Sequence, residues 1–266
     1  MKVPVIVSAI EQLPRDYVVP DELVRDLRRA DAFIQMAVVS GFAAIARLPA
    51  DKWQPEEVGV FIGTAFGPLE TNFESLGSLI DDGEGHISPT LFSHSVYNAA
   101  AGYVARLLDI RGPAMTITNY GWPFLIAMEE ARLAVASGRI GRAVVIGVET
   151  YSALLADAYR RFFQVETVPW ERSAVAWVLE PAGAAKGFCR LQGINIKEFE
   201  VEPADLLTRR GETLTGCGAV SELPRHPMAY VSALSEAVMS FDKLPQLSNC
   251  WSIKASFGLA EINLDR

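Results

Sequence analysis

A chain of 266 residues, half of them hydrophobic and with a formal net charge of −8, is long enough for one large α/β core and lacks the concentrated basic face that a nucleic-acid binder needs. Its positive mean hydropathy fits a sheet buried on both faces together with a large subunit interface, since each removes more apolar surface from water than a half-exposed sheet does. Cys189, Cys217 and Cys250 are odd in number and show no CxxC spacing, which speaks against a disulfide framework and a zinc site; no metal and no other cofactor is expected.

The apolar opening from Met1 to Ile10 is broken by Glu11 and Arg15 and lacks a signal-peptide cleavage pattern. No run approaches the roughly 18 apolar residues that cross a bilayer, so a soluble protein of the reducing cytoplasm is expected, with no membrane partner. Val3 to Ser8 reads as a buried strand, and Asp31 is placed to cap a helix carrying Phe33, Met36, Ala37, Ala44 and Leu48 at helical spacing. Val58 to Gly63 reads as an interior strand, and the polar stretch Asp81 to Ser88 as a loop. Gly63 to Thr71 follows a strand and precedes a helix. It lacks the Gly-Lys-Ser/Thr of a phosphate loop and the spacing of a dinucleotide fingerprint, and reads as a turn.

Between 114 and 148 the pattern is clearest. Ala114 to Thr118 reads as a strand, Pro123 to Ser137 as a helix with Gly138 just past its end, and Ala143 to Gly147 as a second strand, together a parallel crossover. Ala174 to Leu179 and Phe188 to Ile196 read as further strands, so the first 200 residues alternate β and α elements. Residues 203 to 248 are interrupted by Gly211, Gly216, Gly218, Pro224 and Pro227, although Met228 to Phe241 still reads as a helix; Trp251 to Leu264 returns to strand and turn. No linker divides the chain, which is read as one domain over 1–266. A hydrolase elbow, Gly-x-Ser-x-Gly, is absent, and the adjacent Ser93 and His94 do not have the geometry of a nucleophile and its base.

Five segments in order carry a resemblance to the β-ketoacyl synthases. Gly63 to Thr71 resembles their early Gly-rich turn with Leu-Glu-Thr, and Ser93 to Pro113 their Asn-x-x-Ala-Gly helix and following Gly-Pro. Ala143 to Glu149 is similar to the strand ending in Gly-x-x-Glu, Glu171 to Glu180 to the strand ending in Leu-Glu, and Ser256 to Asn263 to the terminal Ser-Phe-Gly loop. The resemblance implies a thiolase-like layered αβαβα fold, with the N-terminal half (1–200) near complete and the C-terminal half (201–266) strongly reduced.

Active members of this family carry a cysteine at the amino end of a buried helix, where the helix dipole and backbone N–H groups favour a thiolate and an oxyanion. The register through Gly112-Pro113 and Glu129-Glu130-Ala131 assigns Gly121 to that position, flanked by Tyr120 and Trp122, which are not thioester nucleophiles at neutral pH. Only His226 is available for the second-half histidines, against a plainer role at a helix start. The chain therefore resembles the chain-length factors, and more closely the short ketosynthase-like subunits of aryl-polyene and related polyketide pathways, through Phe92 to Ala99.

That likeness implies a heterodimer with a cysteine-bearing ketosynthase, and contact with acyl carrier protein only indirectly. It puts Phe92, Ser93, Val96, Tyr97 and Asn98 on the wall of the partner's acyl tunnel. Thr116, Ile117, Thr118, Asn119, Tyr120 and Trp122 fall on the segment meeting the partner, with Phe257 and Gly258 in a gating loop. Two other readings stay open: a thiolase-superfamily acyltransferase or hydrolase using a displaced Cys217 or Ser93, and a homodimeric acyl- or carrier-binding protein.

Overall fold

In a computed structural model the described residues are 3–49, 53–86, 88–164, 171–183, 187–199, 212–216, 219–224, 226–240 and 250–265. They form ten strands: β1 (Val5–Gln12), β2 (Val58–Thr64), β3 (Ala114–Thr118), β4 (Arg142–Glu149), β5 (Ser173–Pro181), β6 (Cys189–Glu198), β7 (Thr213–Gly216), β8 (Ala219–Glu222), β9 (Cys250–Ala255) and β10 (Gly258–Asp265). The helices among them are α1 (Asp21–Leu27), α2 (Ala32–Ala46), α3 (Leu69–Asp82), α4 (Pro89–His94), α5 (Ala99–Leu107), α6 (Pro123–Ala136), α7 (Ala153–Phe163) and α8 (Ala229–Met239).

The strands make one mixed sheet in the order β3-β2-β4-β5-β1-β6-β10-β9-β7-β8. Every residue of β2 and β4 is buried, as their unbroken apolar runs require when both faces are covered. On one face α2 and α5 close a core with inward residues of β2, β4 and β5, among them Ile62, Ile146 and Val178. On the other, α6 and α8 share a core with Val145 and Trp177 and also with Ile253 of β9 and Ile262 of β10. The second half of the sheet therefore curls over α6 and α8, giving the layered α/β arrangement expected of the family. Among the described residues no helix is long and apolar enough to cross a membrane.

Local chemistry sets these elements. The Asp31 carboxylate caps α2 by accepting the Ile34 N–H (2.9 Å) and also accepts the Thr71 hydroxyl (2.6 Å), tying α2 to α3. Pro123 opens α6, and Gly138, at φ +73°, follows its end. β3 and β4 both run parallel to β2, which lies between them.

Three expectations are corrected. The first strand does not stop near Ser8 but continues to Gln12, because the charge that interrupts the apolar run, Glu11, reaches Arg47 at the sheet margin. The loop expected from Asp81 begins later, since α3 persists to Asp82 and ends at Gly83, whose φ is +87°. The alternation of β and α elements expected to residue 200 ends at β5, which β6 follows with no helix between them among the described residues; β5 runs antiparallel to both β4 and β1. Much of the interrupted stretch from 203 to 248 lies outside the described residues. Within it stand the β7–β8 hairpin and α8, which covers the core of the expected helix.

One buried ion pair locks the strands. Glu180 of β5 accepts from Arg142 of β4 through Nε (3.0 Å) and Nη2 (2.9 Å) and from Trp53 Nε1 (2.8 Å). Burial acts to raise this carboxyl, yet the nearby Ser8 hydroxyl, the Trp53 indole N–H and the Arg142 guanidinium outweigh it and hold it below the usual carboxylate range. Glu180→Ala leaves the guanidinium buried without its counter-charge, and a loss of about 3–5 kcal/mol is expected in urea unfolding. A change below about 1 kcal/mol would show that the pair does not hold β4 to β5.

Candidate functional site

The head of α6 is tightly constrained by its neighbours. A Cβ added to Gly63 of β2 would lie 2.6 Å from the backbone of Pro123 and Phe124, so only glycine lets the first turn of α6 pack on the strand. Pro123 brings no N–H. The next amide, Phe124, donates to the hydroxyl of Tyr230 on α8 (3.2 Å). Burial pushes the Tyr230 phenol well above its ordinary value, so it stays a neutral hydroxyl there.

Gly121, two residues ahead of α6, gives its N–H to Asn119 Oδ1 (2.6 Å). A Cβ at Gly121 would sit 3.0 Å from that oxygen and 3.3 Å from the ring of Phe257. Phe257 lies in the two-residue turn between β9 and β10 and packs on Trp122, ring centroids 4.8 Å apart; Gly258 allows this approach, its own Cβ position lying 3.2 Å from the Trp122 ring. Asn119, Tyr120, Gly121, Trp122 and Phe257 line a cleft of about 230 Å³, closed on its other side by Ile126, Ile196, Glu198 and Phe199. None of these four was foreseen; the last three arrive through the antiparallel pairing that sets Gly258 opposite Glu198, a long-range register with no local signature.

The remaining candidates form a second, exposed group. Phe92 on α4 is 63% exposed, Tyr120 is 77% exposed, and Val96 and Tyr97 are also exposed. Tyr97 lies against Gly67, and Phe66 faces Tyr120 with ring centroids 5.7 Å apart, so the turn after β2 joins them. Asn98 precedes α5 without capping it through its side chain. Thr116 and Ile117 are half-buried and Thr118 exposed on β3, which among the described residues is the last strand of the sheet on this side and pairs with β2 alone. Trp122, by contrast, is a core residue at 2% exposure.

The turn at 64–67 is no phosphate cradle, because its amides are already used. Glu149, at the end of β4, accepts from the Thr64 hydroxyl (2.9 Å) and from the backbone N–H groups of Ala65 and Phe66. Burial nonetheless pushes its carboxyl up to about 7, against those donors.

The candidate nucleophiles and bases are tied up elsewhere. Ser93 Oγ donates to the Thr90 carbonyl (2.9 Å), while the neighbouring His94 meets Tyr103 Oη (3.1 Å). His226 Nδ1 accepts the Met228 N–H (3.0 Å) and Nε2 faces the Glu171 carbonyl (2.6 Å), a neutral tautomer that fixes the start of α8. Burial lowers its pKa. Cys189 is buried and its thiol is pushed up to about 12 by desolvation, unsuited to attack. Cys217 lies outside the described residues.

Residues 22–162 match the family model described as beta-ketoacyl synthase, N-terminal domain. The 3-oxoacyl-[acyl-carrier-protein] synthase 2 of Vibrio cholerae is 27% identical over 167 residues, 58% of this chain and 40% of that protein. The protein of the same name from Synechocystis sp. is 32% identical over 91 residues, 34% of this chain and 22% of its own length. The chain thus spans 40% or less of the length of these curated relatives. Its fold is shared with a chain of a ketosynthase in complex with its chain length factor from Xenorhabdus doucetiae, with TM-score 0.63, 15% identity and 100% of both chains covered. It is shared too with a chain of a type II polyketide synthase acyl-carrier protein in complex with its ketosynthase, with TM-score 0.74, 15% identity, and 100% of this chain and 99% of that one covered.

Glu149 makes a prediction about pH. Its folded pKa, about 7, exceeds the ordinary 4.5, so the native state holds this proton more tightly than the unfolded chain does. The resulting stability is fully present below about pH 4.5 and is lost as pH rises through about 7, a loss on the order of 3 kcal/mol. Urea midpoints between pH 5 and 8 should show this fall, and Glu149→Gln should flatten it; identical slopes would refute the assignment.

Proposed function

This chain belongs to the beta-ketoacyl synthase family, and on that footing we propose that it is a non-catalytic subunit of the chain-length-factor type, paired with a cysteine-bearing ketosynthase. The observation that carries this reading is the head of α6. We read Gly121 as standing where the family keeps its nucleophile, and glycine has no atom to acylate. Its N–H is bound to Asn119 and that of Phe124 to Tyr230, so these two amides are also engaged before any oxyanion could form.

Bond-making then falls to the partner. This chain contributes surface: the β3 edge with Thr116, Ile117 and Thr118, and the apolar group Phe92, Val96 and Tyr97 with Ser93 and Asn98, which closes the acyl tunnel and limits chain growth. The substrate class is an acyl chain on a carrier protein, in fatty acid or polyketide elongation of the aryl-polyene kind, with the carrier docking on the partner. A catalytic alternative through Ser93 is disfavoured by its hydrogen bond to the Thr90 carbonyl, while Cys217, the other candidate for that role, lies outside the described residues.

Co-expression with the ketosynthase encoded beside it should yield a complex whose elongation activity or product length depends on this chain. A ketosynthase that never associates and elongates equally well alone would overturn the reading. The complementary variant is Gly121→Cys, which the site admits with shifts of a few tenths of an ångström. Incubated alone with acyl and malonyl thioesters it should give no condensation product by mass spectrometry, since no free histidine pair serves it. An elongated product from this variant alone would mean that the machinery is otherwise intact.

A further inference from the structure

Helix α3 turns an apolar row to solvent: Phe73 is 38% exposed, Leu76 50% and Ile80 71%. Spacings of three and four residues put them on one stripe. Glu70, Glu74 and Asp81, all exposed, run beside that stripe, within about 40° of one another at roughly 100° per residue. The row joins the exposed group described above, because α3 packs on α4 and the turn entering α3 holds Phe66 against Tyr120 and Gly67 against Tyr97.

The charges carried by α3 are all acidic, whereas outside it Glu56 is paired with Arg111 and Arg106 lies over Tyr103 beside α4. Between Lys52 and Arg106 the sequence contains no lysine or arginine, but it contains Glu56, Glu57, Glu70, Glu74, Asp81, Asp82 and Glu84. From Gly112 to Met128, across β3 and the head of α6, there is no charged residue at all. A two-fold pairing of a chain with itself is self-complementary in position, so any charge on this face meets another charge of the same face. Among α3, α4 and β3 only α3 carries acidic residues and none of the three carries lysine or arginine, so a two-fold pairing through α3 sets acid against acid. Like charges across an interface act chiefly to exclude partners, and opposite charges to attract and orient them.

We propose that this acid-rimmed apolar face rejects a second copy of the chain and selects a protein whose matching face has an apolar centre bordered by lysine and arginine. The inference rests on the subunit reading, which supplies that protein: the cysteine-bearing ketosynthase. It decides between heterodimer and homodimer from charge alone.

The test is sedimentation and calorimetry on the full chain, alone and with the co-encoded ketosynthase, at 50 and 500 mM salt. The chain alone should not form a symmetric dimer at micromolar concentration. The mixed complex should weaken by about tenfold or more at the higher salt, where exposed charges are screened. The triple variant Glu70→Lys, Glu74→Lys, Asp81→Lys should weaken it to a similar degree at low salt. These exposed positions should leave the circular dichroism and unfolding midpoint unchanged, and the salt comparison needs no variant. A salt-indifferent homodimer of the wild-type chain overturns the inference, as does a mixed complex indifferent to both salt and charge reversal, which would leave the subunit reading standing. Absence of any mixed complex sinks the subunit reading and this inference with it.

Discussion

The close approach of α6 to β2 governs the rest of the structure. With a hydrogen in place of a side chain at Gly63, the first turn of α6 lies on the strand, and backbone atoms meet where a methyl group would come within 2.6 Å. That contact fixes the depth of Trp122 and Phe124 in the core, where Phe124 packs edge-on to Trp177. It also fixes where the chain emerges from β3, and so where Gly121 and the 230 Å³ cleft must lie. Tyr230 completes the arrangement from the other half of the sequence. Its hydroxyl takes a helix amide that water cannot reach, the usual demand of a buried helix terminus.

Two buried carboxylates show how differently the fold treats charge. Glu180 keeps its charge because a guanidinium and an indole N–H face it, and its burial becomes a lock between strands. Glu149 has no cation beside it among the groups that shift it, only neutral donors, and desolvation prevails. The same residue type at the ends of adjacent strands is therefore a permanent anion in one place and a group titrating near neutrality in the other. Glu149 holds the turn that positions Phe66, which in turn faces Tyr120, so its proton sits one contact away from the exposed group.

Much of this was legible from residues alone where a single interaction decides a feature. Asp31 as a cap, Pro123 and Gly138 as the limits of a helix, and the buried runs of β2 and β4 all follow from local chemistry. What failed was long-range. The strand through Glu11 needed Arg47, which is distant in sequence, and the reversal at β5 depends on which neighbours it finds rather than on its composition. The cleft is the same case: Asn119 and Phe257 stood among the candidates, but Ile196 and Phe199 join them only through the β6–β10 register. The family resemblance also placed Trp122 beside the exposed candidates without distinguishing it from them, although it is a core residue and they are not.

An inert subunit in the proposed heterodimer answers a packing problem that chemistry does not enter. Among the described residues β3 ends the sheet with an unpaired side, and an unpaired edge beside exposed aromatic residues is a liability for a chain on its own. Covering it with a second copy would remove the edge but gather the acidic residues of α3 and its neighbours about one axis. Covering it with a different chain removes the edge and neutralises the rim at once. In that proposed pairing the same acidity would also turn an acidic carrier protein away from this surface. In the proposed reading, the lack of a side chain at Gly121 removes nothing from the β3 edge or from Phe92, Val96 and Tyr97, on which the pairing would rest.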